Sequence, residues 1–251
     1  MRSLLSVSDI EDEVTRILDI ASDFKAGKME EKPLKDQKLA MIFQKSSTRT
    51  RVSFEVGMYE LGGTALFLST NDIQLGRGEP IKDTAKVLSR FVDAIMIRAI
   101  EHDDVIELRD EADVPIINGL TNLEHPCQAL ADMLTVKEHK GGFDGKFVYV
   151  GDGNNVCNSL LLICGCLGMD MAVACPDEYK PNAEIVAKAE EYAKATRIKE
   201  DNLECFLPQC DPWRDSDKCS IFCAYYDNII GCRILYVNLF LEGEKSNYYE
   251  D

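Results

Sequence analysis

The chain has 251 residues, 44 of them acidic and 28 basic, for a formal charge of -16. That length buries a sizeable core in one large or two small domains, while the acidity, with no basic stripe to offset it, argues against nucleic acid as a partner. No stretch approaches the about 20 apolar residues of a membrane-spanning helix, and residues 1–30 are charged and lack the apolar segment of a signal peptide, so a cytoplasmic protein is expected.

Residues 8–26 carry a helical stripe (Ile10, Val14, Ile17, Leu18, Ala21) with Ser8 as its cap. Leu39 to Phe43 is a short apolar run that reads as a buried parallel strand. It leads through the polar turn Gln44-Lys-Ser-Ser-Thr-Arg-Thr-Arg51 into the helix Val52–Leu61, which Gly62-Gly63 stops. Unpaired N–H groups and the dipole make a helix start an anion site. Here it also carries the hydroxyls of Ser46, Ser47, Thr48 and Thr50 and the guanidinium groups of Arg49 and Arg51, whose planar forks suit phosphate or carboxylate. In an acidic protein this points to a small anionic ligand in a local cationic pocket.

Gly63 to Thr70 reads as a second strand, and Asn71 to Pro80 as a mobile loop with two glycines. Asp83–Phe91 returns to helical period. Ala94–Ile97 is a third strand ending on Arg98, either a ligand group at the edge of an open sheet or a surface ion-pair partner. His102–Ala112 is a short acidic helix and Val114–Asn118 a fourth strand. The turn Gly119 to Gln128 opens the helix Ala129–His139, with Pro126 in its first turn. His125 just before it can donate to a carbonyl, move a proton or cap the helix.

Gly141-Gly142 ends this helix and a second alternation starts: strand Lys146–Val150, turn Gly151-Asp-Gly-Asn-Asn155, helix Val156–Leu167, strand Asp170–Cys175, helix Asn182–Thr196. The turn only superficially resembles a dinucleotide fingerprint, because Val156 stands where the third glycine belongs. Its adjacent amides suit the amino or carboxylate group of a zwitterion. The alternation predicts an α/β chain of two doubly wound parallel-sheet domains with the active cleft between them, over 1–140 and 141–198, the second incomplete. Cys157, Cys164, Cys166 and Cys175 lie in apolar segments, where reduced thiols pack as small hydrophobes. None of the three histidines has a partner at metal-ligand spacing.

From about residue 199 helical period is lost. Five of the ten cysteines (Cys205, Cys210, Cys219, Cys223, Cys232) lie there, in no CxxC pair, with Trp213 and possible strands at Ser220–Tyr226 and Arg233–Leu241. Residues 199–251 do not read as a continuation of the preceding domain.

Ser47-Thr-Arg-Thr-Arg51 with Ser53-Phe-Glu55, then Arg98, then His125-Pro-Cys-Gln128, resembles the aspartate/ornithine carbamoyltransferase family over residues 1 to about 198. Asn118-Gly-Leu-Thr-Asn122, Gly151-Asp-Gly-Asn-Asn155 and Gln74-Leu-Gly-Arg77 resemble its ornithine branch. The resemblance implies carbamoyl transfer from carbamoyl phosphate to ornithine, as in arginine biosynthesis or catabolism, without metal, cofactor or covalent nucleophile. By it Ser47, Thr48, Arg49 and Thr50 hold the phosphate, while Arg98, His125 and Gln128 hold the carbamoyl group. Arg49, Arg98 and His125 are the catalytic set, Asn155 contacts ornithine, and Gln74 reaches a neighbouring subunit's phosphate site in a homotrimer. The family's Asp-x-Trp-x-Ser-Met-Gly and His-Cys-Leu-Pro segments and its terminal helix are not found after Ile198. The tail therefore reads as a frameshift, a mispredicted exon or a replaced C-terminus. The carbamoyl phosphate half looks complete and the ornithine half does not. Another acceptor amine, such as putrescine, or an inactive carbamoyl phosphate-binding chain are the alternatives.

Overall fold

The computed structural model describes residues 2–29, 32–195 and 203–205. The first half is built on four parallel strands, β1 (Lys38–Phe43), β2 (Thr64–Ser69), β3 (Ala94–Arg98) and β4 (Ile116–Leu120), in the order β2-β1-β3-β4. Strand β1 explains why the run Leu39 to Phe43 is apolar throughout. Leu39, Met41 and Phe43 face one packed layer, and Ala40 and Ile42 face the other. Burial on both faces selects apolar side chains at every position of a central parallel strand.

On the first face lie α1 (Val14–Lys25), α2 (Thr48–Glu60) and α5 (Pro126–Lys140), represented in the core by Ile17, Phe54, Met58 and Met133. On the opposite face lie α3 (Ile81–Leu88) and α4 (His102–Glu111), through Ala85, Val105 and Leu108. The N-terminal segment closes the free edge of β4, with Leu4 bridged to Ile117 and the Asn118 amide donating to the Leu5 carbonyl at 2.8 Å.

The second half has β5 (Lys146–Val150), α6 (Asn155–Leu167), β6 (Asp170–Ala174), α7 (Ala183–Ala195) and β7 (Leu203–Cys205), its strands parallel in the order β5-β6-β7. Helix α6 is apolar nearly all round because it is covered on several sides. Its Cys157, Leu160, Leu161 and Ile163 belong to the same core cluster as α1 and α5. The predicted α/β architecture with parallel sheets is therefore present, and one continuous apolar layer joins its halves. Cys157, Cys164 and Cys175 are buried and in no disulfide among the described residues, and burial pushes the Cys164 thiol up, out of the range where it ionises.

Several boundaries differ from the sequence expectations. The first helix is capped by Ser6, not Ser8. Ser6 and Asp9 form a reciprocal capping box on a 3-10 turn at Val7–Ile10, and α1 follows separately. The loop 71–80 contains a 3-10 turn at Gln74–Arg77. Strand β4 runs on to Leu120, past a register shift opposite Ile97 and Arg98. Gly119 sits at that shift, and a Cβ there would stand 2.5 Å from the Met96 sulfur. The possible strands at Ser220–Tyr226 and Arg233–Leu241, and the cysteines from Cys210 onward, lie outside the described residues.

Candidate active site

Helix α2 starts at Thr48, four residues earlier than the apolar period implied, because the polar turn supplies its cap. Ser47 is the N-cap and its Oγ accepts the Thr50 N–H at 3.3 Å. Thr48, Arg49 and Thr50 are thus the first helical residues, the position where free N–H groups and the dipole meet an anion. Thr48 and Arg49 are exposed and Thr50 is buried. The Thr50 hydroxyl accepts from Ser47 at 3.0 Å and from Arg98 Nη1 at 3.4 Å. With its lone pairs taken, that hydroxyl has its proton to offer.

Arg98 ends β3 and is half-buried. The bulge at Gly119 lies directly across from it, and bulges beside a sheet rim re-aim side chains. The guanidinium reaches the α2 start, donating to Thr50, and acts electrostatically on His125 in the turn after β4. Arg51, by contrast, turns away from this point. It pairs with Glu55 at 3.0 Å and lies 3.7 Å from the centre of the Phe67 ring.

His125 occupies the N-cap position of α5 but makes no side-chain cap bond, so helix capping does not explain it. Its Nδ1 is buried without a hydrogen-bond partner among the described residues. Burial, helped by the neighbouring Arg98 charge, holds the imidazole down to about 3. It is a neutral ring, with one N–H to give.

The turn carrying His125 is fastened to the first turns of α6. Asn155 donates to the Thr121 carbonyl, Asn158 to the Leu123 carbonyl at 2.9 Å, and Ser159 Oγ accepts the backbone N–H of His125 at 2.9 Å. Ser159 in turn donates to Glu124 at 3.2 Å, whose carboxylate also accepts the Val7 N–H. Glu124 is fully buried, which raises its carboxyl above the ordinary range. Three α6 side chains spaced i, i+3 and i+4 therefore hold the turn, joining the C-terminal ends of the two sheets.

Of the residues singled out from sequence, Ser47, Thr50, Arg98 and His125 stand around one point at the carboxyl ends of β1, β3 and β4. Thr48 and Arg49 share that helix start. Gln128 lies in the first turn of α5 and donates to Asp132 at 2.9 Å. Asn155 is at the border of the two halves, its amide engaged with Thr121. Gln74 is exposed on its 3-10 turn, and no described contact links it to Arg98, Thr50 or His125. In the Gly151 turn, Asn154 caps α6 by accepting from the Val156 and Cys157 N–H groups. Gly153 is packed so closely on the chain that a Cβ would meet the Pro181 nitrogen at 2.1 Å. That glycine serves chain packing.

Sequence reasoning passed over Glu124, Asp132 and Ser159. The i, i+4 spacing of Gln128 and Asp132 was a usable signal, whereas the reach of Ser159 to His125 crosses 34 positions and had none.

Residues 2–138 match the carbamoyl-P binding domain of aspartate/ornithine carbamoyltransferases, and residues 144–205 match the Asp/Orn binding domain of the same proteins. The ornithine carbamoyltransferase of Methanobrevibacter smithii is 69% identical over 206 residues, covering 80% of this chain and 68% of that protein. That of Methanothermobacter thermautotrophicus is 63% identical over 196 residues, covering 78% and 65%. The solved ornithine carbamoyltransferase of Pyrococcus furiosus superposes with a TM-score of 0.75 at 51% identity, covering 78% of this chain and 64% of that one. The chain thus spans about two thirds of the length of these relatives. The order of the matched segments, the parallel sheets and the hydroxyl- and guanidinium-lined start of α2 agree with one another: this chain belongs to the aspartate/ornithine carbamoyltransferase family.

Proposed function

We propose that the chain transfers the carbamoyl group of carbamoyl phosphate to the side-chain amine of L-ornithine, giving citrulline and phosphate. The observation that carries this reading is the Arg98–Thr50 contact, which joins the anion-binding start of α2 to the turn bearing neutral His125. In this reading Ser47, Thr48, Arg49 and Thr50 bind the phosphate, and Arg98, His125 and Gln128 bind the carbamoyl group. A neutral amine attacks the carbamoyl carbon, the new N–C bond forms, the C–O bond to phosphate breaks, and the amine's proton passes to the departing phosphate. Charge grows on the carbonyl oxygen and on the departing phosphate. Arg98 and the His125 N–H stabilise the first, and the α2 start with Arg49 stabilises the second. Losing one such donor costs about 2.7–4 kcal/mol of transition-state stabilisation in comparable sites. A neutral imidazole suits this role, since it donates without placing a second cation beside Arg98.

The names of the relatives support ornithine as acceptor, and Asn155, beside the carbamoyl turn, is the residue we assign to it. We divide the chain into a carbamoyl phosphate domain at 1–140, a partial ornithine domain at 141–198 and a tail at 199–251. We place the protein in the cytoplasm, in arginine metabolism, as a homotrimer in which Gln74 completes a neighbour's phosphate site. Exposed Val52, Tyr59 and Leu66 on α2 and the edge strand β2 give the first domain an apolar surface for such contacts. No helix among the described residues is long and apolar enough to cross a membrane.

A second reading, a carbamoyl phosphate-binding chain with impaired transfer, is favoured by the Asp/Orn domain match ending at residue 205. Citrulline formation by the purified chain separates the two. Turnover that disappears in Arg49→Ala supports transfer, and a folded chain that binds carbamoyl phosphate without turnover supports the second.

A further inference from the structure

The first two turns of α5 hold a hydrogen bond that the carbamoyl chemistry above leaves unused. Gln128 Nε2 donates to Asp132 Oδ1 at 2.9 Å, one turn further along the helix. Asp132 is half-buried, and burial raises its carboxyl to about 6, which leaves it ionised at pH 7 and above. An ionised carboxylate accepts and never donates, so the end of the Gln128 amide that faces it must be the NH₂. The Gln128 carbonyl oxygen takes no hydrogen bond from a described residue. With its amino end bonded to Asp132 one turn further along the helix, that oxygen is the end of the amide left for a ligand.

We propose that Asp132 is a positioning residue that fixes the Gln128 amide with its carbonyl oxygen towards the substrate, where it accepts from the carbamoyl amino group and selects carbamoyl over acetyl phosphate. The proposal rests on the reading of Gln128 as a carbamoyl contact and adds what orients it. An amino and a methyl group have nearly the same size, so shape cannot separate these substrates. An acceptor fixed in place can, because facing a methyl group it goes unpaired, and such a loss is worth about tenfold in affinity. A glutamine free to turn would offer either end and discriminate less.

The test uses two stable analogues, phosphonoacetamide and acetonylphosphonate, which differ by NH₂ against CH₃, titrated calorimetrically into the full chain. The wild-type protein is expected to bind the amide about tenfold more tightly. Asp132→Asn, whose amide either donates or accepts, is expected to lose most of that ratio while binding acetonylphosphonate as the wild type does. Asp132→Glu restores a carboxylate acceptor and is expected to regain part of the ratio. An unchanged ratio in Asp132→Asn overturns the proposal, as does equal weakening of both analogues in both variants. A wild-type chain that binds both analogues equally overturns the proposal while leaving the phosphate site standing. One that binds neither overturns the reading of the site itself.

Discussion

Ser159 on α6 accepts the backbone N–H of His125 at 2.9 Å and donates its own hydroxyl to Glu124 at 3.2 Å. A side chain of the second half thus holds the histidine of the first. Ser159→Ala removes both bonds, leaving a buried N–H and weakening the support of a buried carboxyl, which costs about 1–3 kcal/mol. For a chain of this size that corresponds to a fall in Tm of roughly 2–4 °C per kcal/mol. Thermal melts of the two proteins check it. Equal midpoints would show that the contact contributes nothing.

The His125 ring should not titrate near neutrality. Its value is depressed to about 3 by burial first and by Arg98 second. A depressed histidine contributes stability that is full above its unfolded value near 6.5 and is lost as pH falls towards 3, on the order of 5 kcal/mol in all. Imidazole carbon shifts followed by NMR from pH 8 to 5 should stay flat for His125. A midpoint between 6 and 7 would mean an ionised or solvated ring.

Asp132 works in the opposite direction. Its carboxyl is raised to about 6 by burial, against the opposing Gln128 bond. The stability this gives is present below about 4, its unfolded value, and is lost as pH rises through about 6. Asp132→Asn should therefore be more stable than the wild type at pH 7.5, with the advantage shrinking towards pH 4. Urea unfolding at the two pH values measures it, and an advantage that grows on acidification would contradict the assignment.

Thr50→Val keeps the shape of a buried side chain and deletes a hydroxyl that accepts from Ser47 and Arg98. Carbamoyl phosphate affinity is expected to drop about three- to tenfold, the range of one or two net hydrogen bonds. Calorimetric titration gives the value directly, and an unchanged affinity would remove Thr50 from the site.

The strands were legible because buried parallel strands need unbroken apolar runs, as Leu39 to Phe43 and Ala94 to Ile97 show. Helix starts were harder. At α2 the helical period begins at Val52, yet the helix begins at Thr48, because hydroxyls and guanidiniums fill its first turn and mask its register. At the N-terminus Ser6 and Ser8 are equally good caps locally, and the bond between Ser6 and Asp9 decides between them. The anion turn, Arg98 and His125 could be picked out from residue type and place. Their support could not, since Ser159 reaches His125, and Gly119 faces Met96, only once the chain has folded.

The most direct test is the affinity of the chain for carbamoyl phosphate before and after Arg98→Ala. If Arg98 joins the start of α2 to the carbamoyl turn in one site, binding should weaken about ten- to a hundredfold while the melt stays cooperative. Affinity unchanged in a folded Arg98→Ala protein would contradict a shared site and leave the start of α2 as a phosphate site alone.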